Sequence, residues 1–540
     1  MPKKKTVESL QKLCLVNVAE HMEPVWVKDY TMVSYWEGYH CRYTVGPFSV
    51  LADALLQELI QLLENDQRLT SPLLCSLLQP QLTELDLSSC PNLVSRTTVH
   101  IISVRCKNLS SLVLHGCSHI PADALADLLG GLPCLLKLDI SNTQCDTSVL
   151  STIRSCCWRL HELNISGCGR LSPDSLLHLA YDSGTNSLCC PGLKRLYMEG
   201  LDPATNGEDL VWALVFMLLA LPSLKCVVHD SVAEAVCRIY DQQFEGARIP
   251  PRFPSLEKLA ECRRSAYSSK GRSQLVLALT QIYYVPASSV PKINAVCPSL
   301  SEICVALTEN LAFNPCLLPW RHLVRLTVSC MEVRDLRELL PVTQSLGPQL
   351  QFLALDGFSL EDEFSFHTLL SHCPNLQEFW VSFHSPRRDG CALQPNTEAI
   401  CWDLSLPDHS LPQLNNLTLI HSDVENALPL KHAVLLRQCL VSLLRHSPNL
   451  ESLCLACLPF SLDDVFQTVL APPGTSLLHL CKLSLVEAEV SSPTIGLLLS
   501  SKNELACLEL DTCLNISETE YSELLRKVSE KRLDVHVSWK

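Results

Sequence analysis

The sequence lacks the long apolar runs and glycine-rich loops that identify membrane proteins and nucleotide-binding enzymes. Its longest apolar run, LVWALVFMLLAL (residues 210–221), has 12 residues, whereas a membrane-spanning helix needs about 20. We interpret this run as a buried helix and expect no membrane association. Glycine is scarce, with 18 residues against 33 prolines in a chain of 540, which argues against a glycine-rich nucleotide-binding fold.

Motifs that carry catalysis are also missing from the sequence. G-x-S-x-G, H-E-x-x-H, G-x-x-x-x-G-K-[ST] and G-x-G-x-x-G do not occur. A C-x-x-C pair, Cys454 and Cys457, lies within the run LCLACL, but no second pair completes the four ligands of a structural zinc site. We therefore expect no catalytic residue, no metal and no cofactor, so the chain is predicted not to be an enzyme.

Basic residues are in deficit, and the start of the chain lacks an apolar segment. The 57 acidic and 42 basic residues give a net charge of −15, which disfavours a nucleic-acid-binding role because phosphate binding needs a basic surface. Met1 is followed by PKKKTVESLQK, so we expect no signal peptide. The 29 cysteines are then expected to be reduced thiols used as small apolar side chains in a cytoplasmic and/or nuclear protein.

A repeated pattern, L-x-x-L-x-L, runs through most of the chain. Several successive copies are 25 to 27 residues apart, and longer steps of 38 and 36 residues indicate insertions in loops. The copies begin at Leu82, Leu109, Leu135, Leu160, Leu193, Leu300, Leu323, Leu350, Leu376, Leu414, Leu450, Leu480 and Leu505. The x-L-x-L part alternates with period two and predicts a short strand with one buried face.

Helical stretches follow these strands. In IPADALADLLGGLPCL, Pro121 stands at a predicted helix start, and Leu125, Leu128 and Leu129 share one face. Because a single strand and helix cannot bury both apolar faces, stacking of the units is required for a core. We predict an α/β leucine-rich-repeat solenoid, a horseshoe whose strands line the concave side, with a small helical module at its N-terminus.

The repeats resemble the cysteine-containing subclass of leucine-rich repeats, which is common in F-box/leucine-rich-repeat receptors. Cys90, Cys117 and Cys168 each stand three residues after the last apolar position of a strand. The resemblance implies that these thiols bond the turning backbone. We divide the chain into a helical adaptor module (1–80), repeats (81–200), irregular or degenerate repeats with a loop insertion (201–299) and further repeats (300–540). In the irregular part, SLKCVVHD (223–230) and SLEKLAEC (255–262) are degenerate repeats, and RRSAYSSKGRS (263–273) is expected to be a solvated loop.

The segment SLQKLCLVNV (residues 9–18) places Leu10, Leu13, Cys14 and Val18 on one helical stripe. It resembles the BC-box of Elongin-binding receptors, [S/T/P]-L-x-x-x-C-x-x-x-[aliphatic], at Ser9, Leu10, Cys14 and Val18. The resemblance implies that the leucine enters a pocket of Elongin C and that the cysteine packs beside it. The alternative from the residues alone is an amphipathic helix that caps the solenoid.

A second motif follows about 30 residues further on. Leu51, Ala52, Leu55 and Leu59 resemble the cullin-box of VHL-type receptors, with Ala52 in place of the proline. Together the motifs imply a substrate-recognition subunit of an Elongin BC–cullin–RING ubiquitin ligase, with Elongin B, Elongin C and a VHL-type cullin as partners. Two alternatives stay open. FSVLADALLQELIQLL (48–63) faintly resembles an F-box for the Skp adaptor, and the chain could be a leucine-rich-repeat scaffold or inhibitor without a ligase.

A protein substrate is expected on the concave strand face, where the residues between the strand leucines point to solvent. Trp380 is the strongest single candidate, since an exposed aromatic is a frequent binding anchor; alternatively it packs on neighbouring side chains. The net charge of −15 favours a ligand with some basic character. The candidate substrate-binding residues are His161, Glu162, Lys194, Arg195, Tyr197, Phe352, Asp356, Glu378 and Trp380.

Overall fold

The computed structural model describes residues 2–4, 9–27, 47–201, 207–268, 275–307, 320–360, 365–385, 411–422, 430–471, 476–513 and 515–540. The chain forms two compact units. The first unit comprises Glu8–Tyr284 and Lys292–Ser299, and the second comprises Met1–Val7, Val285–Pro291 and Leu300–Lys540. Each unit is described by itself.

The first unit opens with helices. They are α1 (Leu10–His21), α2 (Asp53–Asn65) and α3 (Ser71–Leu77), with a π-helical turn at Met22–Val27 and a 3₁₀ turn at Pro47–Val50. Helix α2 buries Leu56, Leu59, Ile60 and Leu63 on its inner face. The spacing of these four residues repeats every three or four positions, which is why this segment folds as an amphipathic helix.

Most repeats of the first unit combine one strand with one helix. The strands are β1 (Glu84–Asp86), β2 (Ser111–Val113), β3 (Lys137–Asp139), β4 (Glu162–Asn164), β5 (Tyr181–Asp182), β6 (Ser187–Leu188), β7 (Arg195–Tyr197), β8 (Cys226–Val228) and β9 (Gln281–Pro286). The helices are α4 (Arg96–Arg105), α5 (Ala122–Gly130), α6 (Thr147–Cys156), α7 (Pro173–Ala180), α8 (Gly207–Ala220), α9 (Val232–Asp241), α10 (Leu256–Ser268) and α11 (Val290–Val296). The last two residues of β9 and the first two of α11 belong to the second unit.

The strands pair in parallel in the order β1, β2, β3, β4, β7, β8, β9, while β5 and β6 form a separate antiparallel hairpin. Leu85, Leu112 and Leu138 lie side by side in this register, and each is buried. Leu125, Leu128 and Leu129 of α5 are fully buried as well. The apolar strand face and the apolar helix face therefore close one continuous core between them.

The region between residues 201 and 299 differs in part from the sequence prediction. Residues 223–230 contain a regular repeat strand, β8, in parallel register with β7. Residues 255–262 instead lie in the segment that forms α10, because Leu256, Leu259 and Ala260 are spaced for a buried helical face.

The expected solvated loop at residues 263–273 is also corrected where the structure describes it. Residues 263–268 continue α10, and residues 269–273 lie outside the described ranges. Arg263 is only 6% exposed, and its guanidinium donates to the carbonyl oxygens of Leu218, Leu219 and Leu221. A cation is stable there because the carbonyl oxygens of Leu218 and Leu219, in the last turn of α8, have no following helical turn to supply N–H donors.

The second unit repeats the same architecture with longer strands. They are β10 (Glu302–Leu307), β11 (Arg325–Asp335), β12 (Phe352–Ser359), β13 (Glu378–Phe383), β14 (Asn416–His421), β15 (Ser452–Ala456), β16 (Lys482–Val486), β17 (Cys507–Asp511) and β18 (His536–Trp539). The helices are α12 (Leu340–Leu346), α13 (Ser365–His372), α14 (Leu430–Arg445), α15 (Leu462–Leu470), α16 (Ser492–Leu498) and α17 (Glu518–Glu530). Each strand from β10 to β18 pairs in parallel with the next.

Both units are thus leucine-rich-repeat arrays of parallel strands and helices, and the predicted α/β fold class is confirmed. The run at residues 210–221 is a buried helix, since every residue of α8 from Leu210 to Ala220 is buried. Among the helices that the structure describes, none is long and apolar enough to cross a membrane.

Candidate protein-interaction surfaces

Helix α1 begins where the BC-box-like motif begins. Ser9 is the N-cap residue, and its hydroxyl oxygen accepts the backbone N–H of Lys12 at 3.2 Å. This bond satisfies one of the N–H groups that the first helical turn leaves without a carbonyl partner. The first residue of the motif therefore fixes the start of the helix, and Leu10, Cys14 and Val18 follow it at helical spacing.

One face of α1 attaches the helix to the fold. Leu15 and Ala19 are 6% and 3% exposed, and Met22 directly after the helix is fully buried. Helix α1 contacts α2, and the guanidinium of Arg68 donates to the carbonyl oxygen of Glu20 at 2.9 Å. These contacts show that the helix packs on the N-terminal module through Leu15 and Ala19.

The opposite side of α1 faces solvent and carries three exposed apolar residues beside the polar Asn17 and Glu20. Leu10 is 78% exposed and Leu13 is 48% exposed, Cys14 is exposed, and Val18 is half-buried. We call Leu10, Leu13 and Cys14 the outer stripe of α1. Removing exposed apolar side chains from water is favourable, and here a partner would have to cover them. The outer stripe is therefore a candidate docking surface.

The cullin-box-like residues lie at the start of α2 and divide between surface and core. Leu51 and Leu55 are half-buried, whereas Leu59 is fully buried. The prediction that Leu59 contacts a cullin is therefore corrected, because its side chain belongs to the inner face of α2. Ala52 is the N-cap residue with φ −65°, the angle that a proline fixes, so its replacement of the motif's proline leaves the local backbone unchanged.

The predicted residues of the first unit lie along β4 and β7. Glu162 is the centre of an ion-pair row, with its carboxylate 3.5 Å from Lys137 Nζ and 3.4 Å from Arg195 Nη1. Lys194 is exposed, and His161 and Tyr197 are half-buried. Lys137 was missed from the sequence, although it occupies the outward position of LLKLDI that corresponds to Glu162.

The predicted residues of the second unit surround an arginine that the sequence reasoning missed. Arg325 lies between Glu302 and Glu378, at 3.7 Å and 3.0 Å, and its guanidinium stands 3.9 Å from the centre of the Phe352 ring. Phe352 and Glu378 were predicted because they lie between the strand leucines and point to solvent. Arg325 occupies the same kind of outward position in LVRLTV. Its stacking on Phe352 fixes the ion-pair row on the sheet.

Trp380 and Asp356 lie on the same sheet. Trp380 is half-buried between the small side chains of Ala354 and Thr418, its register neighbours on β12 and β14. Asp356 lies 3.5 Å from Ser329 Oγ and 3.7 Å from His384 Nε2. The small neighbours leave the indole partly open, as a binding anchor requires.

Most of the described cysteines are buried or half-buried. Burial raises the pKa of Cys106, Cys157 and Cys373 to about 12, so these thiols stay protonated at neutral pH. Among the residues that the structure describes, no group of three or more His, Cys, Asp or Glu side chains is placed to hold a metal ion.

The comparisons with known proteins gave no family for this chain. No protein-family model matches it, and no curated protein matches it. Among solved structures, it is similar to Rad7 in the crystal structure of a Rad7 and Elc1 complex in yeast, with 15% identity, a TM-score of 0.40, and coverage of 95% of this chain and 96% of that one. The leucine-rich-repeat protein LegL7 from Legionella pneumophila has 14% identity and a TM-score of 0.31 over 54% and 90%. At these values neither similarity supports an argument about a partner or an activity.

Proposed function

We propose that this chain is the substrate-recognition subunit of an Elongin BC–cullin–RING ubiquitin ligase. The observation that carries the proposal is the outer stripe of α1. It places Leu10 and Cys14 of the BC-box-like motif in solvent while Leu15 and Ala19 hold the helix on the fold. A helix presented in this way suits helix-in-groove recognition, in which a few apolar anchors supply most of the affinity.

The burial pattern of α1 also argues against the alternative that this helix is only a cap. A cap needs one apolar face, and Leu15, Ala19 and Met22 already supply it. Capping therefore gives no reason for a leucine at position 10 that is 78% exposed. Binding of Elongin C would cover the outer stripe without disturbing the inner face, so the helix could serve both purposes.

In this proposal the cullin approaches near Leu51 and Leu55, and the repeat strands hold a protein substrate. The chain itself catalyses nothing, and ubiquitin transfer is accelerated by proximity alone. The proposed location is cytoplasmic and/or nuclear. The accessible strand residues of the two units remain the proposed substrate contacts: His161, Glu162, Lys194, Arg195 and Tyr197 in one unit, and Phe352, Asp356, Glu378 and Trp380 in the other.

The test is co-expression with Elongin B and Elongin C, followed by capture through a tag on the chain. Wild type is compared with Leu10→Ala/Cys14→Ala, and the matched control is Gln11→Ala/Glu20→Ala, two exposed polar positions of the same helix. We expect Elongin B and C with the wild type and the control, and a loss of both with the stripe variant.

Failure of the folded wild-type chain to capture Elongin B and C would overturn the proposal. Circular dichroism and gel filtration establish that the chain is folded and monodisperse in that experiment. A parallel co-expression with the Skp adaptor then separates the F-box alternative, which predicts capture there, from a scaffold, which predicts none.

A further inference from the structure

A cleft lies between α2 and the strand face of the first repeats. Its volume is about 410 Å³, and it lies wholly within the first unit. Ile60 of α2 and Val113 of β2 give it apolar walls. None of the residues proposed to contact Elongin C, the cullin or the substrate lines this cleft.

Three carboxylates also line the cleft. Glu84 and Asp86 project from β1, and Glu64 faces them from α2. Lys137 also lines the cleft, but its ammonium is 3.5 Å from Glu162 on the far side. Within the described parts of the chain, no basic side chain lies at ion-pair distance from these three carboxylates, so the cleft has a surplus of negative charge.

The arrangement suits an organic cation better than a metal ion. Among the described residues no three carboxylates converge closely enough to hold a metal. The apolar side chains of Ile60 and Val113 line the same cleft. An arginine or lysine side chain has the matching form, an aliphatic stem that packs on apolar walls and a cationic head that binds carboxylates.

We infer that this cleft binds an arginine or lysine side chain of a protein partner. The stem packs between Ile60 and Val113, and the head lies among Glu64, Glu84 and Asp86. Burial raises the pKa of Glu64, and an incoming cation stabilises its charged form. Binding of such a side chain does not depend on the proposed function. Only the description of the partner as a ligase substrate rests on it.

The probe is a fluorescein-labelled nonapeptide pool with arginine at the centre and uncharged residues elsewhere. A second pool carries citrulline, the neutral analogue of arginine, and a third carries lysine. Binding to the purified full chain is measured by fluorescence anisotropy without Elongin. The variants are Glu84→Gln/Asp86→Asn and the control Asp139→Asn. Asp139 occupies the same register position as Asp86, two strands away. Its carboxylate accepts the backbone N–H of Ser141, as that of Asp86 accepts the N–H of Ser88. Asp139 does not line the cleft.

We expect saturable binding of the arginine and lysine pools. The citrulline pool should bind at least about ten-fold more weakly, because charge-assisted hydrogen bonds contribute about 1.5–3 kcal/mol. Glu84→Gln/Asp86→Asn should lose the same factor, and Asp139→Asn should bind like wild type. Equal binding of arginine and citrulline pools, wild-type binding by the double variant, or no saturable binding overturns the inference. Because Elongin is absent from the assay, each of these results leaves the ligase proposal standing.

Discussion

Cys168 joins two neighbouring repeats through its thiol. The side chain is fully buried after β4, and its Sγ donates to the carbonyl oxygen of Ile140 in the preceding repeat at 3.2 Å. Cys513 makes the same kind of bond to Leu485 at 3.6 Å. Cys90 stands at the corresponding place in the first repeat, where its thiol lies 3.7 Å from Glu64 Oε1 of α2 instead.

Replacing Cys168 should therefore weaken the first unit. We expect Cys168→Ala to lower the free energy of unfolding by about 1–2 kcal/mol, from the lost hydrogen bond and the small cavity. Cys262 is exposed in the same unit, so Cys262→Ala should stay within about 0.5 kcal/mol of wild type. Urea unfolding followed by circular dichroism measures both, and equal effects of the two substitutions would contradict this role of Cys168.

Glu64 links the cleft to the stability of the N-terminal module. Burial raises its pKa above the ordinary value, although Ser89 and Cys90 donate hydrogen bonds that oppose the shift. The folded chain therefore binds this proton more tightly than the unfolded chain, and stability falls as pH rises through the two pKa values.

Glu64→Gln should therefore raise the midpoint of urea unfolding at neutral pH. The gain should vanish at a pH below both pKa values, where the wild-type carboxyl is protonated in the folded and unfolded chains. The exposed control Glu523→Gln should leave the midpoint unchanged at both pH values. A gain for Glu64→Gln that persists in acid would show that charge burial is not its cause.

At the scale of elements, α1 has one face that packs on the fold and a second face that we propose binds a partner. Leu15→Ala should lower the free energy that protects α1 and α2 from opening by about 2–4 kcal/mol, because Leu15 is 6% exposed. Leu10→Ala should change it by less than about 0.5 kcal/mol, because Leu10 is 78% exposed. Native-state hydrogen exchange of α1 measures both. Loss of protection in Leu10→Ala would show that the outer stripe packs on the fold.

Sequence periodicity predicts some elements better than others. The L-x-x-L-x-L pattern placed the strands because alternation with period two fits only an extended backbone. It failed at residues 255–268, where Leu256 and Leu259 fit a helix as well as a degenerate repeat. Burial of Arg263 was not predictable, since it depends on the carbonyl oxygens of α8, some 45 residues earlier.

Some features of the candidate sites were predictable from the sequence and others were not. Spacing identified the outer stripe of α1, but the two motif leucines Leu55 and Leu59 differ in burial, and only packing decides this. The α2–β1 cleft was not predictable either, because it joins residues from Gln57 to Lys137 that only the fold brings together.

At the scale of the whole molecule, we propose a repeat protein that binds other proteins. The repeats supply strand faces with ordered rows of charge around Glu162 and Arg325. The N-terminal module adds one helix that exposes the apolar outer stripe. We propose that Elongin C covers this outer stripe.

Alkylation of the chain's own cysteines tests that claim most directly. Cys14 lies in the outer stripe, and Cys262 is exposed elsewhere in the same unit. Purified chain is treated briefly with iodoacetamide, with and without Elongin B and C, and modification is quantified by mass spectrometry. We predict that both cysteines react in the free chain, and that Elongin protects Cys14 while Cys262 still reacts. A complex in which Cys14 reacts as fast as in the free chain, or no complex at all, would contradict the account.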